Sequence, residues 1–292
     1  MPKYYIGTAG WSYQDWIGPF YPKAQTNNFD WLQYYSHYFN CVEVNSTYYS
    51  YISPKIAEGW VGKTQGTNDF LFTIKLHQDF THIRKYDNNK IKSVESVLQI
   101  LQRERRLGGI LIQFPYSFSY NSTSVLYISQ LAEIFNSYHI VIELRHSTWN
   151  KEEIIKNFKK LNLTYCVIDQ PQIGRSIPFE PIKTSFSAYI RLHGRNKEAW
   201  FTTINNYSKE QPESLKNERY NYLYSHSELI EIAQAVKQQI QNINEIYIIT
   251  NNHPGGNAVA NAFQLINILE GKKVEMPASI ISRYPLLNKI LL

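Results

Sequence analysis

Cysteine is scarce: Cys41 and Cys166 are the two in 292 residues, and they fall on different predicted strands. That excludes a disulfide framework and a cysteine-based metal site. Long apolar runs are also missing. No stretch approaches the ~20 residues of a membrane span, and Met1-Pro-Lys-Tyr4 lacks the apolar core of a signal peptide. The expectation is a cytoplasmic protein with no membrane partner, in which the Asn-x-Ser/Thr triplets at Asn45 and Asn121 are chance. Blocks of like charge are absent too, and the densest cluster, Arg103-Glu-Arg-Arg106, interrupts itself. A formal charge of +6 therefore suits an anionic ligand but draws no basic stripe for nucleic acid.

What is present is a recurring register of short apolar strands with polar ends. In Ile140-Val-Ile-Glu-Leu-Arg145, Glu143 and Arg145 share one face while Ile140, Ile142 and Leu144 share the other. Cys41–Asn45 sets Glu43 and Asn45 opposite Val42 and Val44. Leu71–His77 sets Thr73, Lys75 and His77 opposite Phe72, Ile74 and Leu76. Tyr165–Asp169 ends in an acid with Cys166 and Ile168 behind it, and Tyr189–His193 opposes Arg191 and His193 to Ile190 and Leu192. Ile110–Phe114 carries Gln113, and Ile246–Asn252 ends in Thr250, Asn251 and Asn252. With Tyr4–Thr8, there are eight candidate strands.

Helical spacing fills most of the gaps. Ile91, Val94, Val97, Leu98 and Leu101 mark a helix over 90–105, and Ser225-His-Ser-Glu228 has capping-box spacing before another. Between strands six and seven, Pro171, Gly174, Pro178 and Pro181 break every helical window. After strand seven, Gly194 to Tyr224 reads as a long polar loop with the character of a lid. The pattern predicts an α/β fold: a single domain over 1–292, an irregular (β/α)8 TIM-type barrel with a degraded sixth helix and a long loop after strand seven. An open doubly wound sheet is the rival. In a barrel, the polar strand ends converge at one mouth.

Several motifs together resemble the YecE-like family, domain of unknown function 72. They are Gly7-Thr-Ala-Gly-Trp-Ser-Tyr13 with Trp16 and Phe20-Tyr-Pro22, Val42-Glu-Val-Asn-Ser-Thr-Tyr-Tyr49, Thr81-His82 and Gln113-Phe-Pro115. Glu143-Leu-Arg-His146 with Trp149, Tyr189-Ile-Arg-Leu-His-Gly194, and Asn251-Asn252 before Gly256 complete the set. The resemblance spans roughly residues 4 to 270 and implies an irregular TIM-type barrel, loosely similar to those of endonuclease IV and xylose isomerase. It implies no reaction. Ala9 stands where the family pattern has serine, and Ser50 where an arginine often follows the aromatic pair. Contacts from those two positions are not carried over.

The strand ends support three readings of function. In the first, the mouth binds an anionic, phosphate-bearing small molecule and hydrolyses it. Lys75, Arg145 and Arg191 clamp oxyanions, and Asn45, Gln113 and Asn252 add hydrogen bonds. Glu143 or Asp169 is the general base and His193 or His77 the acid, while the amides of Gly255 and Gly256 hold phosphate at a helix start. In the second, a divalent metal sits among Glu43, His77, Glu143, Asp169 and His193, giving a phosphodiesterase-, nuclease- or sugar-isomerase-like enzyme. The nearby arginines oppose it, and no cofactor is otherwise called for. The third is non-catalytic nucleic-acid binding, with Trp11, Tyr13, Trp16, Tyr48 and Tyr49 stacking bases.

Blander roles compete. Glu143, Arg145, Arg191 and Asp169 can neutralise one another in a polar core, and the glycine pair can be a turn. The aromatic loop 12–22 can be packing rather than a ligand wall. His37, His139 and His226 read as solvated helix or loop residues, the two cysteines as buried thiols, and Trp31 and Trp60 as helix-packing residues.

Overall fold

The computed structural model describes residues 2–67, 69–205 and 217–292. Eight parallel strands pair in chain order: β1 (Lys3–Ala9), β2 (Cys41–Val44), β3 (Leu71–Lys75), β4 (Leu107–Gln113), β5 (Ile140–Glu143), β6 (Thr164–Asp169), β7 (Ser187–Leu192) and β8 (Glu245–Thr250). β8 also pairs with β1, with Tyr5 opposite Tyr247 and Thr8 opposite Thr250, so the barrel closes. The open-sheet rival is thereby set aside. Closure leaves no strand edge to protect, and burial on both faces explains the β-branched runs in β4, β5 and β8.

The helices form an outer layer. Val94, Val97, Leu98 and Leu101 of α5 (Asn88–Arg103) are buried at the three- and four-residue spacing of one face, and Asp87 caps its first turn by accepting from the Lys90 amide. The remaining helices are α1 (Trp31–Tyr38), α2 (Ser46–Tyr49), α3 (Pro54–Lys63), α4 (Gln78–Thr81), α6 (Ser122–Ile134), α7 (Glu152–Lys160), α8 (Lys197–Asn205), α9 (His226–Gln239), α10 (Asn257–Glu270) and α11 (Ala278–Arg283). Ser225 and Glu228 form the expected reciprocal cap of α9. Segment 170–186 carries no helix, as its prolines dictate. Among the described residues no helix is long and apolar enough to cross a membrane.

Two expectations change, and the aromatic loop takes the packing role expected of it. The stretch after β7 is not all loop, because α8 forms within it. Residues 206–216 of the expected lid lie outside the described residues. The aromatic loop is mainly packing: Trp16, Phe20 and Tyr21 are fully buried, and the Trp16 indole donates to the His253 carbonyl at 2.8 Å. His139 is not solvated. At the N-terminal end of the barrel its ring nitrogens lie 2.7 Å from the Gly108 carbonyl and 2.7 Å from both Thr164 Oγ1 and Ser187 Oγ. A lone polar residue just before an apolar strand gave no hint that three other strands would supply its partners.

Tyr5, Tyr247 and Tyr189 stack across the barrel interior, and this fixes which residues point inward. On β1 the inward series continues to Gly7, where an added Cβ would lie 2.0 Å from the Cys41 carbonyl oxygen. That contact is with backbone of the adjacent strand and has no side chain to give way. Gly7→Ala should cost about 3 kcal/mol or more. Denaturant unfolding of the variant against the parent checks this; an unchanged midpoint would contradict the close approach.

Candidate functional site

Parallel pairing carries the inward face around the barrel: Glu43 opposite Thr73, Lys75 opposite Leu111, Gln113 opposite Glu143, Glu143 opposite Cys166, and Ile168 opposite Arg191. At its centre lies Arg191, 1% exposed. Its Nη2 donates to Glu43 Oε1 at 2.6 Å and its Nη1 to Glu143 Oε2 at 2.5 Å. One guanidinium thus joins β7 to β2 on one side and to β5 on the other. The Tyr189 hydroxyl donates to Glu43 Oε2 at 3.0 Å, with Thr73 Oγ1 2.8 Å from that hydroxyl. Arg145 covers Glu143 from the mouth, donating from Nε and Nη2 to Oε1 at 2.7 Å each. Burial alone would raise the Glu143 pKa, but Arg191 and Arg145 outweigh it and hold the carboxyl well below its ordinary range.

Two carboxylates therefore face three basic side chains, the third being Lys75. Its Nζ lies 4.3 Å over the ring of Tyr48 from α2, and no carboxylate among the described residues forms an ion pair with it. Desolvation, with Arg191 adding repulsion, pushes its pKa down to about 7. His82 closes this side, 5.0 Å edge-on to Tyr48, and burial plus Lys75 and Arg145 push it down to about 4. Asn45 stands one inward step above Glu43 with its Oδ1 buried and unpartnered.

His193, fully buried, continues the inward face of β7. The Asn251 amide nitrogen donates to its Nδ1 at 2.8 Å, so the ring proton sits on Nε2. That Nε2 is 3.8 Å from Glu143 Oε1 and has no hydrogen-bond partner. Burial lowers the His193 pKa to about 3, so the imidazole is neutral at pH 7. A neutral donor of this kind can bind an anion or polarise a carbonyl, but it is a poor proton acceptor near neutrality.

Several expected site residues are not brought here. Asp169 is on the opposite face of β6: Arg195 grips it through Nε and Nη2 at 2.9 and 2.7 Å, and the Tyr224 hydroxyl donates to it at 2.7 Å. Asn252 also points outward, its amide donating to the Tyr222 carbonyl and to Asn261 Oδ1 at 2.8 Å each. Asn251, one residue earlier, is the inward residue, since a single step along a strand reverses the face. The Gly255 amide donates to the Asp15 carboxylate at 2.6 Å and the Gly256 amide to the His253 carbonyl, so both are already engaged. His77 stacks on Tyr51 at 4.0 Å and accepts from the Asp79 amide, starting α4. Tyr13 stacks on His253 at 4.5 Å with its hydroxyl donating to the Ala9 carbonyl, and Trp11 packs edge-on to Trp60.

Among the described residues no three His, Cys, Asp or Glu side chains converge as metal ligands. The proposed set is split, with Asp169 outside the barrel and both inner glutamates bound to Arg191. Residues that sequence reasoning missed are Asn251, Tyr189, Tyr48, as a lid over Lys75, and His82. The Thr81-His82 pair was visible as a motif but not as a partner of Lys75.

A family model described as "Protein of unknown function DUF72" matches residues 5–282. The chain belongs to this family. Its relatives include the UPF0759 protein YunF of Bacillus subtilis (strain 168), 27% identical over 281 residues, covering 91% of this chain and 94% of that one. The UPF0759 protein YecE of Escherichia coli (strain K12) is 25% identical over 142 residues, about half of each chain. Among solved structures, the DUF72 family protein TM1631 of Thermotoga maritima MSB8 superposes with a TM-score of 0.78 at 32% identity, covering 91% of this chain and 99% of that one. A DUF72 family protein of Enterococcus faecalis V583 matches the fold at 24% identity with a TM-score of 0.77 over 92% of this chain and 96% of that one. The TIM-type barrel is thus shared with these DUF72 family structures.

Two outcomes follow for the charged interior. Arg191→Met, which strands two buried carboxylates, should cost about 3–5 kcal/mol, read by urea unfolding at pH 7. His193 contributes stability that is complete above pH 6.5, its unfolded value, and is lost as pH falls toward about 3. Between pH 7 and 5 that loss is about 2 kcal/mol. In a His193→Gln variant the unfolding free energy should fall less steeply over this interval; an identical slope would count against a buried neutral imidazole.

Proposed function

We propose that the barrel mouth binds a small anionic molecule, phosphate-bearing by preference, through Lys75 and Arg145 with the Nε2–H of His193 as a neutral donor. The observation that carries this reading is the charge balance of the inward face: Glu43 and Glu143 are matched by Arg191 and Arg145, which leaves the Lys75 amine in excess. An anion beside it would relieve the repulsion among Lys75, Arg145 and Arg191. Arg191, with both terminal nitrogens committed to carboxylates, holds the framework rather than the ligand.

Any hydrolysis at this mouth needs a base or nucleophile tuned near neutral pH. Glu143 is held well below its usual range and His193 at about 3, whereas Lys75 at about 7 is so tuned. The role of base therefore moves from Glu143 or Asp169 to Lys75.

Sulfate carries a fixed charge across pH 6 to 8.5 and is a clean first probe. It should raise the thermal midpoint more at pH 6, where Lys75 is protonated, than at pH 8.5, where it is neutral. The shift should vanish in Lys75→Met, and phosphate monoesters should act at lower concentration than sulfate. A sulfate shift of equal size in the parent and in folded Lys75→Met would sink the proposal.

A further inference from the structure

We infer that Lys75 is a carbonyl-trapping amine, forming a Schiff base with an aldehyde or ketone whose anionic group is held by Arg145. This rests on the anion-binding reading of the same mouth and names its substrate class. Three observations of geometry support it. The amine is half-buried over the aromatic face of Tyr48 rather than paired with a carboxylate, so its lone pair is not tied into an ion pair. Two guanidinium groups act on it from the same inward face, Arg191 and Arg145 with the carboxylates they hold, while His82 across Tyr48 is neutral at pH 7. The inward face also offers a neutral hydrogen-bond donor, His193 Nε2, for the carbonyl oxygen, and a buried unpartnered acceptor, Asn45 Oδ1, for the hydroxyl that this oxygen becomes when the amine adds.

A lysine desolvated beside other cations is the arrangement that frees an amine for attack at neutral pH. The depressed titration of Lys75 agrees with it. Burial lowers that titration most, Arg191 and Arg145 lower it further, and Glu43 and Glu143 raise it. In the step itself, the nitrogen lone pair attacks the carbonyl carbon and the C–N bond forms as the C=O π pair moves to oxygen. The oxygen then leaves as water with the two amine protons while the C=N bond closes. Nothing is oxidised or reduced. A carboxylate or phosphate on the same molecule would supply the anion that Arg145 meets.

The test is reductive trapping with sodium cyanoborohydride at pH 7, followed by peptide mapping by mass spectrometry. Its hydride adds to the imine carbon and fixes the adduct. Pyruvate brings a carboxylate, dihydroxyacetone phosphate a phosphate ester, and acetone no charge. The expected result is an adduct on Lys75 that forms about ten-fold or more faster than on surface lysines, with acetone far slower than the anionic ketones and sulfate suppressing the reaction. Which anionic ketone labels faster tells carboxylate from phosphate.

Labelling of Lys75 by acetone as fast as by the anionic ketones would uphold the amine and overturn its anionic neighbour site. A Lys75-dependent sulfate shift with no carbonyl adduct on Lys75 would uphold anion binding and overturn the Schiff base. Adducts confined to surface lysines likewise overturn it. Because mapping locates the adduct in the unaltered protein, the result does not depend on whether Lys75→Met folds.

Discussion

The interior of this barrel depends on one guanidinium shared by two carboxylates. Arg191 reaches from β7 to Glu43 on β2 and to Glu143 on β5, strands that are not its neighbours in the sheet. Branched apolar side chains usually fill this space in barrels, and three buried charges there are tolerable only when each is paired. The triad is satisfied almost completely: Tyr189 takes one remaining lone pair and Arg145 another. Everything nearer the mouth inherits its electrostatics from this arrangement. Lys75 is depressed by burial with Arg191 adding repulsion, and His193 stays neutral because burial and the same arginine oppose a second positive charge.

The barrel was readable in the residues because each strand announces itself by β-branched runs and each gap by helical spacing or by prolines that forbid it. The site was readable only in outline. Glu43, Lys75, Glu143, Arg145, Arg191 and His193 were found from alternation within their strands, and they do share the inward face. Asp169 and Asn252 were drawn in because they end strands, yet they stand on the other face. Their polarity is the same whichever way they point, so only pairing to neighbouring strands decides it. Ile168 opposite Arg191 and Leu192 opposite Thr250 supply that decision, and neither register is visible within one strand.

Partnering was equally hidden. A glycine pair at the start of a helix looks like a phosphate cradle until Asp15, 240 positions away in the chain, is seen to accept from the Gly255 amide. Arg191 looks like an oxyanion clamp until both its terminal nitrogens are found committed. His139 looks solvated until β4, β6 and β7 close around it. In each case the residue's chemistry was legible and its occupancy was not, because the partner lies on an element distant in sequence.

The outward-facing ends of β6, β7 and β8 form a second polar network behind the first. Asp169 is bound by Arg195 and Tyr224, Arg195 also reaches Glu228 at 3.2 Å, and Asn261 ties Tyr224 to Asn252. The sixth, seventh and eighth strand ends are thus laced to α9 and α10 by contacts that do not involve the inward-facing charged residues. The rim over β6 to β8 therefore keeps its shape through contacts that are separate from the Glu43–Arg191–Glu143 interior, so its rigidity does not depend on how that charged interior is filled.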